Sequence, residues 1–193
     1  MDHYIWERDF DSQIEELDVP DEWSFSVDNN LLRAQSGYVL YTQHTYGGFC
    51  CSSCRRVWNS AEIQILFAVT LKKWQRCGTV KMRIYRQRCK KCKTRIMEQP
   101  QISRVNINIV IANLVKMIGK RFYNQDDGKQ TKAPVIYSKV KDGPHEKEHC
   151  EACQLGICKN PKAQETSVAE VVTAVSAIAL IGLGTLAALL SNK

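Results

Sequence analysis

No apolar signal core opens this chain of 193 residues. Met1 to Asn30 hold ten acidic residues against a single base, Arg8. A secretory signal needs the reverse, so the bulk of the protein is expected to stay in the cytosol. No repeat of fixed period runs through the sequence, which sets aside solenoid and propeller architectures. Charge is missing altogether from one stretch, Val171 to Leu190. Twenty residues at a rise of about 1.5 Å give about 30 Å of helix, the thickness of a bilayer's hydrocarbon core. Thr173, Ser176 and Thr185 only dilute the apolar run, and no polar face is left for water. The expectation is a transmembrane helix over 171–190 acting as a tail anchor. Only Ser191, Asn192 and Lys193 follow it, and Lys159 and Lys162 precede it on the positive-inside side.

A cytosolic chain keeps its thiols reduced, so nine cysteines are not a disulfide framework. Six of them form Cys-x-x-Cys pairs: Cys51 and Cys54, Cys89 and Cys92, Cys150 and Cys153. Thiolates at that spacing bend around one tetrahedral ion, and zinc is the expected occupant. His145, His149, Cys150, Cys153 and Cys158 crowd into one short segment between Gly143-Pro144 and Asn160-Pro161. His145 follows the Gly-Pro turn and is the better fourth ligand, since His149 adjoins Cys150 and would strain a shared chelate. Donors suffice for two zinc ions, with the pairs either sequential or cross-braced. Cys50 would point away from Cys51 on an extended segment, and Cys77 stands alone, so both read as ordinary thiols.

Enzymatic chemistry finds no support in the sequence. A catalytic zinc keeps an open position beside an acid or base, whereas a cysteine-rich set suits closed structural sites. Glu148 and Glu151 lie near the ligands but read as solvated carboxylates. A deaminase's His-x-Glu is absent, since His145 is followed directly by Glu146.

Residues 1–160 fit one α+β domain, zinc-stabilised, with a β-hairpin core and flanking helices. Tyr4, Ile5, Phe10, Ile14 and Leu17 recur at helical spacing until Pro20. Alternation over Ile63 to Leu71 and again over Val80 to Ile84, with a turn at Gly78, predicts a hairpin that draws the first two Cys pairs together. Ile107 to Ile118 predicts a second helix ending at Gly119. Residues 124–132 read as a loop, and 161–170 as a linker to the membrane span.

Charge is polarised. The segment 31–99 holds fourteen Lys and Arg against Glu62 and Glu98. Arg83, Arg86, Arg88, Lys90, Lys91, Lys93 and Arg95 surround the second Cys pair, with Tyr85 among them. Such a patch can attract RNA phosphates, anionic lipid or acidic receptor tails, or it is a solvated face balanced by the acidic N-terminus.

Phe49-x-Cys51-Ser52-x-Cys54, Trp58-x-Ser60-Ala61, Gly78-Thr79-Val80 leading to Met82-Arg83, Gln87-x-Cys89-x-x-Cys92, Gly143-Pro144-His145 and Cys150-Glu151-Ala152-Cys153-x-x-Gly156-x-Cys158 together resemble the receptor-transporting proteins with their three-CxxC zinc finger. The likeness covers most of residues 1–160. It implies a non-enzymatic accessory protein, an adaptor that helps seven-helix receptors of the chemosensory type leave the endoplasmic reticulum and reach the cell surface. It also implies zinc ligation by Cys51, Cys54, Cys89, Cys92, His145, Cys150, Cys153 and Cys158. One branch of the family is tied to interferon responses and RNA binding, so an RNA-binding antiviral effector is the alternative.

Overall fold

The computed structural model describes residues 3–31, 36–92, 94–125 and 146–158. It is a mixed α+β arrangement in which two helices cover one face of a four-stranded sheet.

The first helix, α1 (His3–Glu16), buries Trp6, Phe10 and Ile14, which fall one above another at four-residue spacing. Asp18 then takes a left-handed conformation, φ 50°, and breaks the helix before Pro20. Strand β1 (Glu22–Val27) runs parallel to β4 (Cys77–Ile84), which lies antiparallel to β3 (Val57–Lys72). Strand β2 (Val39–Cys50) forms the other edge, giving the order β1-β4-β3-β2. The expected hairpin is therefore the centre of a larger sheet. Its turn lies at Lys73–Gln75 and closes on Arg76, so Gly78 is already inside β4. Gly78 is needed for another reason: the Trp23 indole of β1 lies over it, and an added Cβ would sit 2.3 Å from the ring.

Ile63, Ile65, Phe67 and Val69 of β3, with Val80, Met82 and Ile84 of β4, face the helices. The other side of β3 is covered as well: Gln64, Leu66, Ala68 and Thr70 are buried too. Leu31 and the segment 146–158 reach over that face. Arg83 donates to the Leu31 carbonyl at 3.2 Å, and Gln64 Nε2 donates to the Ile157 carbonyl at 3.2 Å.

The second helix, α2 (Arg104–Tyr123), starts on Ser103, whose hydroxyl accepts from the Asn106 N–H. It buries Ile107, Val110, Ile111, Leu114 and Ile118 against the sheet. Gly119 does not end it. The Leu17 methyl would lie 3.2 Å from a Cβ there, so glycine lets the end of the first helical segment approach α2. The helix runs four residues further, to Tyr123, and at Asn124, φ 56°, the chain turns left-handed. Trp23 Nε1 donates to Tyr123 Oη at 3.0 Å, and Tyr123 donates to Asp21 at 2.8 Å, tying this end of α2 to β1.

Among the described residues no helix is long and apolar enough to cross a membrane. The expected span 171–190, the linker 161–170, His145 and most of the expected loop 124–132 lie outside the described residues.

Candidate metal centres

Cys51 follows the last residue of β2, Cys54 precedes β3, and Cys89 and Cys92 follow β4. Because β3 and β4 are antiparallel, the open end of their hairpin places both pairs side by side. The two-stranded ladder β5 (Gln87–Arg88) with β6 (Met97–Glu98) brackets the second pair. Glu98 reaches back to the first, its carboxylate accepting from both the N–H and the hydroxyl of Ser52 at 2.7 Å. Trp58 stacks on Phe49 with centroids 5.2 Å apart and donates to Gln87, fixing the strand ends below the cluster.

The sulfurs of Cys51, Cys54, Cys89 and Cys92 all lie within 4.8 Å of one another. Cys51 and Cys92 are 3.6 Å apart, and Cys54 and Cys89 are 3.8 Å apart. A tetrahedron with Zn–S arms of about 2.3 Å has edges of about 3.8 Å, so the four thiols fit one zinc ion. The open question of pairing is thereby answered for this group: the first two Cys pairs come together. Protonation argues the same way. Burial pushes the Cys89 thiol up, but N–H groups of Lys91 and Cys92 and the Cys54 and Cys51 thiols outweigh it and bring it down to about 6. Hydrogen bonding with Cys54 and Cys51, then burial, drives Cys92 up to about 12. Four crowded thiols cannot all ionise unaided, and a dication removes that conflict.

The second cluster is local. Cys150, Cys153 and Cys158 also lie within 4.8 Å of one another. Cys150 caps a single helical turn, α3 (Glu151–Gln154), after a 3-10 turn over Lys147–His149. Three thiols leave one tetrahedral position. His149 does not turn toward it: its Nδ1 accepts from Arg88 Nε at 3.1 Å, and its Nε2 lies 3.6 Å from Glu146. Cys50 and Cys77 belong to neither cluster; Cys77 is exposed and Cys50 half-buried.

Glu151 is not the solvated carboxylate expected from its sequence position. One oxygen accepts from Arg83 Nη2 at 2.7 Å and the other from the Arg86 N–H at 2.7 Å. The Glu151 N–H in turn donates to the Arg86 carbonyl at 3.0 Å, and Cys150 bridges to Gln87. The cluster is thus docked on the end of β4 and the residues after it by one acidic side chain and a short backbone bridge. No sequence signal linked Arg83 to Glu151; each was read separately, as part of a basic patch and as a surface acid.

The basic patch changes meaning accordingly. Arg83 is buried on Glu151 and lies 4.9 Å from the Tyr85 ring centre. Arg88 holds His149, Lys90 pairs with Glu146 at 2.9 Å, and Arg86 bonds the Gln99 side-chain carbonyl. Arg83, Arg88 and Lys90 are engaged by the third Cys segment, and among the described residues none of the three pairs with the acidic N-terminus. That terminus finds other partners, with Asp9 beside Arg8 and Arg104 and Asp21 beside Arg76.

A family of zinc-binding domains of the three-CxxC zinc-ribbon type matches residues 44–156. Human receptor-transporting protein 4 is 37% identical over 160 residues, covering 82% of this chain and 65% of the relative. Mouse receptor-transporting protein 3 is 32% identical over 79% of this chain and 33% of its own length. Mouse receptor-transporting protein 2 is 34% identical over 79% and 69% respectively. The chain therefore spans from a third to about two thirds of the length of these curated relatives. No solved structure matches it.

Proposed function

The chain belongs to the receptor-transporting proteins, and from that premise we propose that it is an accessory protein for receptor trafficking, an adaptor whose clients are seven-helix receptors of the chemosensory type. The observation that carries this reading is the match to relatives named for receptor transport, over a region that includes both thiol clusters. Cys51, Cys54, Cys89 and Cys92 hold one zinc ion; Cys150, Cys153 and Cys158 hold a second, with His145 as the fourth ligand. Zinc in such closed, thiolate-rich sites supplies cross-linking that a domain of this size uses for stability. The chain's own residues then do the work by binding, with no reaction catalysed. Residues 1–160 form the cytosolic domain, 161–170 a linker and 171–190 a membrane anchor, in the endoplasmic reticulum or the plasma membrane. Anchoring raises the domain's effective concentration beside receptors in the same bilayer.

RNA binding with an antiviral role is the second reading. It relied on the basic patch, and Arg83, Arg88 and Lys90 already have partners within the protein. The adaptor is therefore preferred. The test is surface labelling of a co-expressed chemosensory receptor, as a fraction of its total. The fraction is expected to rise with the full chain and to fall back when 171–193 are deleted. Equal fractions with and without the protein across a panel of receptors would refute the adaptor.

A further inference from the structure

The tip joining β3 to β4 carries a fully exposed tryptophan, Trp74, at 101% relative exposure. The other three tryptophans are accommodated. Trp6 is sealed in the core, Trp23 bonds Tyr123, and Trp58 stacks on Phe49. Leaving an indole in water forgoes the stabilisation that burying its apolar surface would give. Lys72, Lys73, Gln75, Arg76 and Cys77 around it are exposed as well.

The tip is built to present these side chains. Residues 73–75 form one 3-10 turn, and Arg76, φ 50°, closes it with its N–H on the Lys73 carbonyl. Lys72 pairs with Cys77, and Cys77 with Glu22, so the turn rises from three hydrogen-bonded strands. Arg76 folds back onto the Pro20 carbonyl and Asp21. Lys72 and Lys73 have no ion pair among the described residues, and they flank the indole. A single turn with one exposed aromatic residue, beside only a shallow open hollow lined by Leu71 to Gln75, is too small for a protein interface, which needs about 800 Å² per partner. A bilayer needs no matching shape. Tryptophan prefers the headgroup level, and lysine stems lie along apolar surface while their ammonium groups reach phosphates.

We propose that the β3–β4 tip, residues 72–76, is a contact for an anionic bilayer surface, with Trp74 seated among the headgroups and Lys72 and Lys73 against lipid phosphates. The contact is separate from any helix at 171–190.

The test uses the full, zinc-loaded chain in vesicles containing brominated phosphatidylcholine, with or without phosphatidylserine. Trp74→Gln removes one emitter at a fully exposed position and should leave the fold unchanged by circular dichroism. The wild-type chain is expected to lose emission to the bromine label in phosphatidylserine vesicles, and Trp74→Gln to lack that quenched component. Changing Lys72 and Lys73 to Gln should weaken the phosphatidylserine-dependent contact about fivefold per lysine. Identical quenching of wild type and Trp74→Gln would overturn the proposal. So would Trp74 quenching that ignores phosphatidylserine, or a Trp74-dependent self-association without lipid. Resistance to carbonate extraction reads the anchor separately, so either idea can fail alone.

Discussion

The two thiol clusters are assembled by different means. The four-cysteine group stands at the open end of the β3–β4 hairpin, where main-chain ladders between long strands fix the ligands, and Glu98 and Trp58 only trim the geometry. The Cys150, Cys153 and Cys158 group lies on one short segment held to the sheet mostly by side chains, chiefly Glu151 on Arg83 and on the Arg86 N–H, with only a short backbone bridge at Arg86 and Gln87. The first cluster is therefore part of the sheet, while the second is a separate piece fastened to it. Losing the first should disturb everything, and losing the second should be survivable.

The largest expected effect tests the first half of that contrast. Structural zinc in small domains is worth about 10–16 kcal/mol, comparable with a whole domain's stability of about 5–15 kcal/mol. Cys92→Ser, like chelation, should therefore abolish the cooperative thermal transition, and native mass spectrometry should show the ion at this centre gone. Cys77→Ser, outside both clusters, should be mild. A cooperative, metal-free fold would break the comparison from this side.

Glu151→Ala tests the other half. It leaves Arg83, 8% exposed, without its carboxylate, and breaking such a buried pair costs about 3–5 kcal/mol. Hydrogen exchange should accelerate over 146–158 and at the Arg86 amide, while β3 and β4 stay protected. One zinc ion should be retained. Loss of both ions would show the clusters to be one unit.

The smallest effect separates the faces of the sheet by pH. Burial drives the Tyr85 hydroxyl up to about 12, with Glu151 adding to the rise and Arg83 opposing it; burial and Asp21 drive Tyr123 up to about 12. A raised folded value means the neutral phenol is favoured in the native state. That stability is complete below the ordinary value of 10 and is lost as pH rises toward 12. Ultraviolet titration of the wild type should show Tyr85 and Tyr123 ionising late, with Tyr41, also raised by burial, above the ordinary tyrosines. In Glu151→Ala, Tyr85 should move toward 10 as its cover loosens, and Tyr123 should not move.

Legibility in the sequence followed range and periodicity. Tyr4, Ile5, Phe10, Ile14 and Leu17 and the apolar run of α2 announce helices, and the β3 and β4 alternation announces the hairpin, because each pattern is local; Trp6, not Tyr4, is the residue that α1 buries beside Phe10. Strand β1 escaped notice because Phe25 is its one buried residue and its partner is distant. Strand β2 escaped because Gln43, Thr45 and Gly47 stand at its buried positions, where an apolar pattern was sought; Gln43 instead donates to the Val110 carbonyl at 2.8 Å. The cysteines identified the metal chemistry, but only the antiparallel β3–β4 pairing decided which of them meet. The Arg83–Glu151 link could not be read from charge counts, which treat every exposed-looking ion alike.

Parallel pairing of β1 with β4 also sets an order of events during synthesis. Glu22 meets Cys77 and Val27 meets Met82, so the N-terminal strand is complete long before its partner exists. At about 5–20 residues per second it waits several seconds. The β3–β4 turn closes over a short loop and forms first, offering a ready edge to which α1 and β1 are added as a late clasp. During that wait Trp6 and Phe10 have no core to enter. Ten acidic residues in the same thirty-residue stretch repel other nascent chains, so the charge imbalance at the N-terminus acts as a built-in guard against premature association.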